Sequence, residues 1–233
     1  MSPRLHQFDE FATCVNALAE LITGDLKQGI AEEGVATLAL SGGSTPKALF
    51  EQLSHASIDW ANVRITLVDD RCVEPEDQAS NTRLVRETLL RWAASAAEFH
   101  PLHRPPLTGD ILLGEASEML RNQFSRYDHV LLGMGDDGHT ASIFPGAAIS
   151  EQALNPENPA SVMLSEKAEA GYFRITQTLS QLLQADRISL LVKGPGKLDL
   201  LNEILQQGDN SPYPIARFLF QQQVPVDIYA AKQ

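Results

Sequence analysis

The sequence predicts a single α/β domain over residues 1–233, built on a mostly parallel sheet with helices on both faces. Three observations predict it. Short apolar runs that read as buried strands alternate with stretches whose apolar residues recur every three or four positions, and strands separated by helices need crossover connections. Glycine-rich segments directly follow the apolar runs, where ligand-binding loops of such sheets lie. No internal repeat or shift in composition marks a boundary, and 233 residues fit one large α/β domain.

The elements follow in order. Phe11, Val15, Leu18, Ile22 and Leu26 form one apolar helical face. "VATLAL", Val35 to Leu40, is short, apolar and bounded by glycine, which reads as a buried strand. "SGGSTP" follows, then a short helix in "KALFEQL". Val63 to Asp69 reads as a second strand. Ser80 can cap a helix carrying Leu84, Val85, Thr88, Leu89 and Trp92. Ala116, Met119, Leu120 and Phe124 mark another helix, and His129 to Gly133 a third buried strand. "SVMLS" and "FRITQTL" look like strands, as does Arg187 to Gly194. "KLDLLNEILQQG" reads as a helix ended by Gly208, and "VDIYA" as a last strand. The proline-rich stretches "HPLHRPPLTGD" and "NPENPAS" read as loops.

Composition narrows the function. The formal net charge is −12 and no lysine or arginine block stands out, so a nucleic-acid partner is not expected. An anionic small molecule remains open, because a site needs only a few local cations and N–H groups. The two cysteines, Cys14 and Cys72, do not make a disulfide framework, and Cys14 reads as a buried free thiol. The N-terminus has no basic segment followed by an apolar core, and no apolar run approaches the roughly 18 residues of a membrane helix. A reducing cytoplasm is the expected place.

Four segments at strand ends can carry chemistry. In "SGGSTP", Gly42 and Gly43 allow close backbone approach, Ser44 or Thr45 can cap the next helix, and Pro46 suits its first turn. Free N–H groups and hydroxyls there suit a phosphate. In "VDDRCV", Asp69 and Asp70 point to opposite sides of a strand, so only one faces a given pocket. Arg71 adds a planar cation suited to phosphate or carboxylate. In "GMGDDGHTASIFPG", either Asp136 or Asp137 can orient His139 as a general base. No second His or Cys lies at metal-ligand spacing, and no GxSxG elbow is present. In "KGPGK", Lys197 falls in a helix's first turn, where a cation is unfavourable unless an anion joins it. Together these segments describe a pocket for a polar, anionic small molecule with one general base.

The segments "SGGSTPKALF", "VDDRCV…ASN", "LLGMGDDGHTASIFPG", "RITQTL" and "KGPGKLDLL" resemble, in order and approximate spacing, the 6-phosphogluconolactonases and the related glucosamine-6-phosphate deaminases. The resemblance runs from about Leu38 to Lys232. It implies a Rossmann-like fold and hydrolysis of 6-phospho-D-glucono-1,5-lactone, without a metal or other cofactor. Carried over, it makes His139 the general base and Asp137 the carboxylate beside it. It gives Ser44, Thr45 and Lys197 to the phosphate, with backbone contact from Gly42 and Gly43. Arg71 becomes the substrate-facing arginine and Arg174 the arginine of "RIT". Asp69 joins the substrate-binding residues, with Asp70 the alternative. Two departures stand out: the middle acid of the family's "DER" is Asp70, and the lead-in to "RIT" is "AGYF".

The expected partner is a phosphorylated sugar lactone, met by a monomer or weak homodimer without nucleic acid or membrane. Deamination is the nearest rival. The resemblance gives deaminases a glutamate five residues after the histidine, where this chain has Phe144, and Thr140 to Ser150 hold no carboxylate. A sugar-phosphate sensor is the other rival. Such regulators usually carry a helix-turn-helix, for which 233 residues leave no room.

Overall fold

The structure is a computed structural model that describes residues 2–166 and 172–232. In chain order its elements are β1 (Arg4–Phe8), α1 (Phe11–Glu33), β2 (Ala36–Leu40), α2 (Lys47–Ser54), β3 (Val63–Leu67) and β4 (Asp69–Arg71). Then come α3 (Asn81–Thr88), β5 (Glu98–His100), α4 (Gly109–Gln123), β6 (His129–Gly133), α5 (Ser150–Ala153) and β7 (Val162–Glu166). The chain ends with β8 (Phe173–Gln177), α6 (Leu179–Leu182), β9 (Ile188–Lys193), α7 (Pro195–Gln207), α8 (Pro214–Leu219) and β10 (Val226–Ala231).

Seven strands pair in the order β1-β10-β9-β6-β2-β3-β5, every neighbour parallel. Strands covered on both faces should be apolar throughout. All five residues of β2 and all six of β10 are buried accordingly. The predicted face of α1 packs inward on β2 and β10, with Leu18, Ile22 and Leu26 fully buried. Each such side chain contributes about 1.5–3 kcal/mol by leaving water. Cys14 lies in the same face as a free thiol, and burial pushes its pKa up to about 11. Among the described residues no helix is long and apolar enough to cross a membrane.

The order of strands places the site. From β2 the chain moves outward through β3 to β5, then returns so that β6 pairs with the other side of β2. The crevice at the carboxyl ends of β2 and β6 is therefore the switch point at which open α/β sheets bind ligands. "SGGSTP" leaves β2 there and "GMGDDGH" leaves β6.

Several expectations are corrected. The run Val63 to Asp69 is two strands, since β3 stays in the parallel sheet while β4 joins a separate antiparallel sheet, β4-β8-β7. The "SVMLS" and "FRITQTL" strands belong to that second sheet, and "FRITQTL" ends in the cap and start of α6. Ser80 does cap α3, accepting from the Arg83 N–H at 3.2 Å, but α3 ends at Thr88. Trp92 lies beyond it, 65% exposed. Ser44 and Thr45 do not cap α2, which begins after Pro46 without a side-chain cap. β1 and β5 are edge strands that the sequence reading lacks, and β5 and α4 trim the two ends of the "HPLHRPPLTGD" loop. In "AGYF", Ala170 and Gly171 lie outside the described residues.

Candidate active site

A cleft of about 590 Å³ opens at the switch point. Gly42, Gly43, Ser44, Thr45, Asp69, Arg71, Asp137, His139, Arg174 and Lys197 all line it. Five segments far apart in sequence thus meet in one cavity: two loops, the strands β4 and β8, and the first turn of α7.

The histidine corner is built by tight backbone geometry. Gly138 adopts φ +74°, the left-handed region that favours glycine, and this turn lets residues 137 and 139 face each other. A Cβ at Gly138 would stand 2.5 Å from Tyr213 Cδ1, and one at Gly135 2.0 Å from His139 Nδ1. The loop packs too closely for side chains at either position. Asp137, not Asp136, receives the imidazole: its Oδ1 bonds His139 Nδ1 and accepts the His139 backbone N–H at 3.2 Å. Partial burial pushes the Asp137 carboxyl up, but the hydrogen bonds and charge of His139 outweigh it and hold its pKa below the usual range. An ionised carboxylate only accepts, so Nδ1 carries the proton, and neutral His139 keeps its lone pair on Nε2. Asp136 is exposed instead, its Oδ1 3.8 Å from Lys197 Nζ.

The cationic wall comes from the small sheet. Along β4 side chains alternate, so Asp69 and Arg71 share the cleft face and Asp70 turns away. Arg71 sits directly opposite Arg174 in the β4–β8 register. Like charges placed opposite each other destabilise a sheet unless an anion joins them. Arg71 donates an Nη to the Ala79 carbonyl, yet the Nε groups of both arginines are buried with no partner among the described residues. Burial and the neighbouring Arg71 charge lower the Arg174 pKa. A bound oxyanion would relieve both penalties. Lys197, in the first turn of α7, donates to the Met134 carbonyl at 2.7 Å, which brings its charge to the β6 loop. In this acidic chain the three cations Arg71, Arg174 and Lys197 share the cleft with the carboxylates Asp69, Asp136 and Asp137.

Two residues here escaped the sequence reading. Ser142 donates to Asp69 Oδ2 at 2.5 Å, joining the histidine loop to β4. Asn81 lines the cleft and its Nδ2 donates to the Asp69 carbonyl at 2.8 Å. Asn81 stood in the "ASN" segment but carried no local signal, and Ser142 meets Asp69 only in the folded chain.

Asp70 has a structural task. Its carboxylate accepts from the N–H groups of Arg71 (2.8 Å), Asn81 (2.7 Å) and Thr82 (3.2 Å), and from the Thr82 hydroxyl at 2.7 Å. It thereby ties β4 to the N-terminus of α3, where negative charge is favoured. Burial pushes its pKa up against the pull of these donors. Asp70→Ala leaves several buried donors unpaired and should cost at least about 2–3 kcal/mol, read as a lower urea midpoint with an unchanged slope.

No group of three His, Cys, Asp or Glu residues placed to hold a metal occurs among the described residues.

The chain is similar to known proteins along nearly its whole length. The sequence model of a family described as glucosamine-6-phosphate isomerases/6-phosphogluconolactonase matches residues 9–226. A protein of Rhizobium meliloti named 6-phosphogluconolactonase is 41% identical over 231 residues, covering 99% of this chain and all of the relative. One of Neisseria meningitidis with the same name is 34% identical, covering 97% of this chain and 98% of the relative. The crystal structure of a 6-phosphogluconolactonase from Shewanella baltica superposes with a TM-score of 0.93 at 39% identity, covering 98% of this chain and 97% of that one.

Proposed function

The chain belongs to the glucosamine-6-phosphate isomerase/6-phosphogluconolactonase family, and from that premise we propose that it is the lactonase, hydrolysing 6-phospho-D-glucono-1,5-lactone to 6-phospho-D-gluconate with His139 as general base. The observation that carries this reading is the Asp137–His139 pair facing the same cleft as two opposed arginines. One half of the site handles a proton and the other holds an anion.

The substrate phosphate takes the cations Arg71, Arg174 and Lys197 together with the Gly42–Thr45 loop. Among the described residues the backbone N–H groups of Gly43, Ser44 and Thr45 have no protein partner, which leaves them for phosphate oxygens. Anchoring the phosphate sets the lactone carbonyl C1 near His139. Nε2 takes a proton from water as the water oxygen bonds to C1. The oxyanion that forms is steadied by nearby cations and N–H groups. Collapse breaks the bond from C1 to the ring oxygen, and protonated His139 gives its proton to that oxygen. The product is an open-chain acid, which loses its proton to solvent. General base assistance contributes about 10²–10⁴-fold, enough for an already reactive ester. We place the reaction in the cytoplasm, on a free sugar phosphate, by a monomer or weak homodimer.

Deamination fits less well, because no carboxylate occurs from Thr140 to Ser150 and Phe144 stands five positions after His139. Pure protein added to freshly made lactone should release acid faster than the spontaneous reaction and release no ammonia from glucosamine 6-phosphate. Ammonia would mark a deaminase, and tight binding with neither product a sensor.

The arginine pair gives a separate prediction. Arg174→Ala removes a charged donor and should raise KM about 10–100-fold, with a smaller change in kcat. Steady-state kinetics against lactone concentration checks it, and an unphosphorylated lactone should show little change.

A further inference from the structure

Phe144 is buried and does not line the cleft, yet its ring meets two groups that do. The His139 imidazole lies 4.6 Å from it, centroid to centroid, with the planes tilted by 42°. The Arg174 guanidinium carbon lies 5.4 Å from the centre of the same ring. Arg174 also lies over the Tyr172 ring, at 5.5 Å. Among the described residues the Arg174 side chain has no hydrogen-bond or ion-pair partner, and its Nε is buried. Among the described residues two aromatic faces hold this guanidinium.

We propose that Phe144 is a positioning residue shared by the two halves of the site, its ring face setting the Arg174 guanidinium and the His139 imidazole together. The inference rests on the function proposed above. An electron-rich ring face attracts a cation without neutralising it. The guanidinium thus stays charged and available to an anion, whereas a carboxylate at position 144 would pair with it and compete with the substrate. The same ring favours the imidazolium that forms when His139 takes its proton. One apolar side chain behind the cleft then serves both binding and proton transfer.

The test replaces Phe144 with phenylalanines carrying one, two and three ring fluorines, which keep the shape and progressively weaken the negative face. Calorimetry with 6-phosphogluconate and the pH profile of kcat/KM are measured for each. Product Kd should rise stepwise, about three- to thirtyfold in all. The acid limb of the profile should move to lower pH as the imidazolium loses support. Phe144→Leu should show both losses at full size, and the fluorinated series decides the matter if that variant does not fold. A purely space-filling ring would leave both quantities flat. If the unmodified protein does not bind 6-phosphogluconate, the functional reading and this inference fall together. If it binds and either quantity ignores fluorination, the shared role of Phe144 alone is overturned.

Discussion

His139→Asn should lose about 10²–10⁴ of kcat while keeping its melting temperature and its affinity for 6-phosphogluconate near those of the wild type. The histidine makes its polar contacts to Asp137, and an asparagine amide can still donate to that carboxylate. The side chain is only 25% exposed and packs on the Phe144 ring, so some packing is lost, but asparagine fills part of the same space and the fold should survive. What disappears is the Nε2 nitrogen proposed to take a proton from water. The cations Arg71, Arg174 and Lys197 are untouched, so binding should persist. Single-turnover rates and product calorimetry on the same preparation separate the two effects. A variant with near-normal kcat would remove His139 as the base.

Asp137→Asn should cost about 10²–10³ in kcat with little change in KM. The carboxylate makes Nδ1 the protonated nitrogen, whereas an amide can donate to Nδ1 and reverse the tautomer. In a buried histidine–aspartate pair of another enzyme the same change costs about 10⁴. Here the aspartate side chain is 47% exposed, so solvent softens the loss. The pH behaviour follows from the lowered Asp137 pKa. The stability it lends is complete above the unfolded aspartate value, near 3.9, and is lost as pH falls through its lower folded value. Asp137 therefore stays ionised throughout the range in which a histidine titrates, and an acid limb there is not its own. Nitrogen-15 spectra of the ring should show the proton on Nδ1 in the wild type and on Nε2 in Asp137→Asn.

Much of this architecture is legible from local pattern. β2, β6 and β9 are short apolar runs because both of their faces are covered. Edge strands carry no such signal: β1, "RLHQF", keeps much of its surface in water and reads as polar chain. The division between β3 and β4 is hidden because Val68 and its neighbours continue the apolar run while the chain changes sheets. Trp92 fits a helical spacing but sits after the helix, with φ +48°, a conformation no spacing rule anticipates. The glycine-rich loops announced the cleft, since only close approach and left-handed turns need glycine at Gly135 and Gly138. The choice between Asp69 and Asp70 required the register of β4 on β8, and the opposition of Arg71 and Arg174 required the same non-local pairing. Phe144 was noted as a missing carboxylate, and only the folded chain puts its ring against His139 and Arg174.

The most direct test of the central claim is the pH dependence of lactone hydrolysis by the wild type and by His139→Asn, each corrected for spontaneous opening. A base that activates water must be unprotonated, so wild-type kcat/KM should fall on the acid side with the uptake of one proton. The residual activity of His139→Asn should lack that limb. The same limb in both proteins would place the base elsewhere and contradict the assignment of His139.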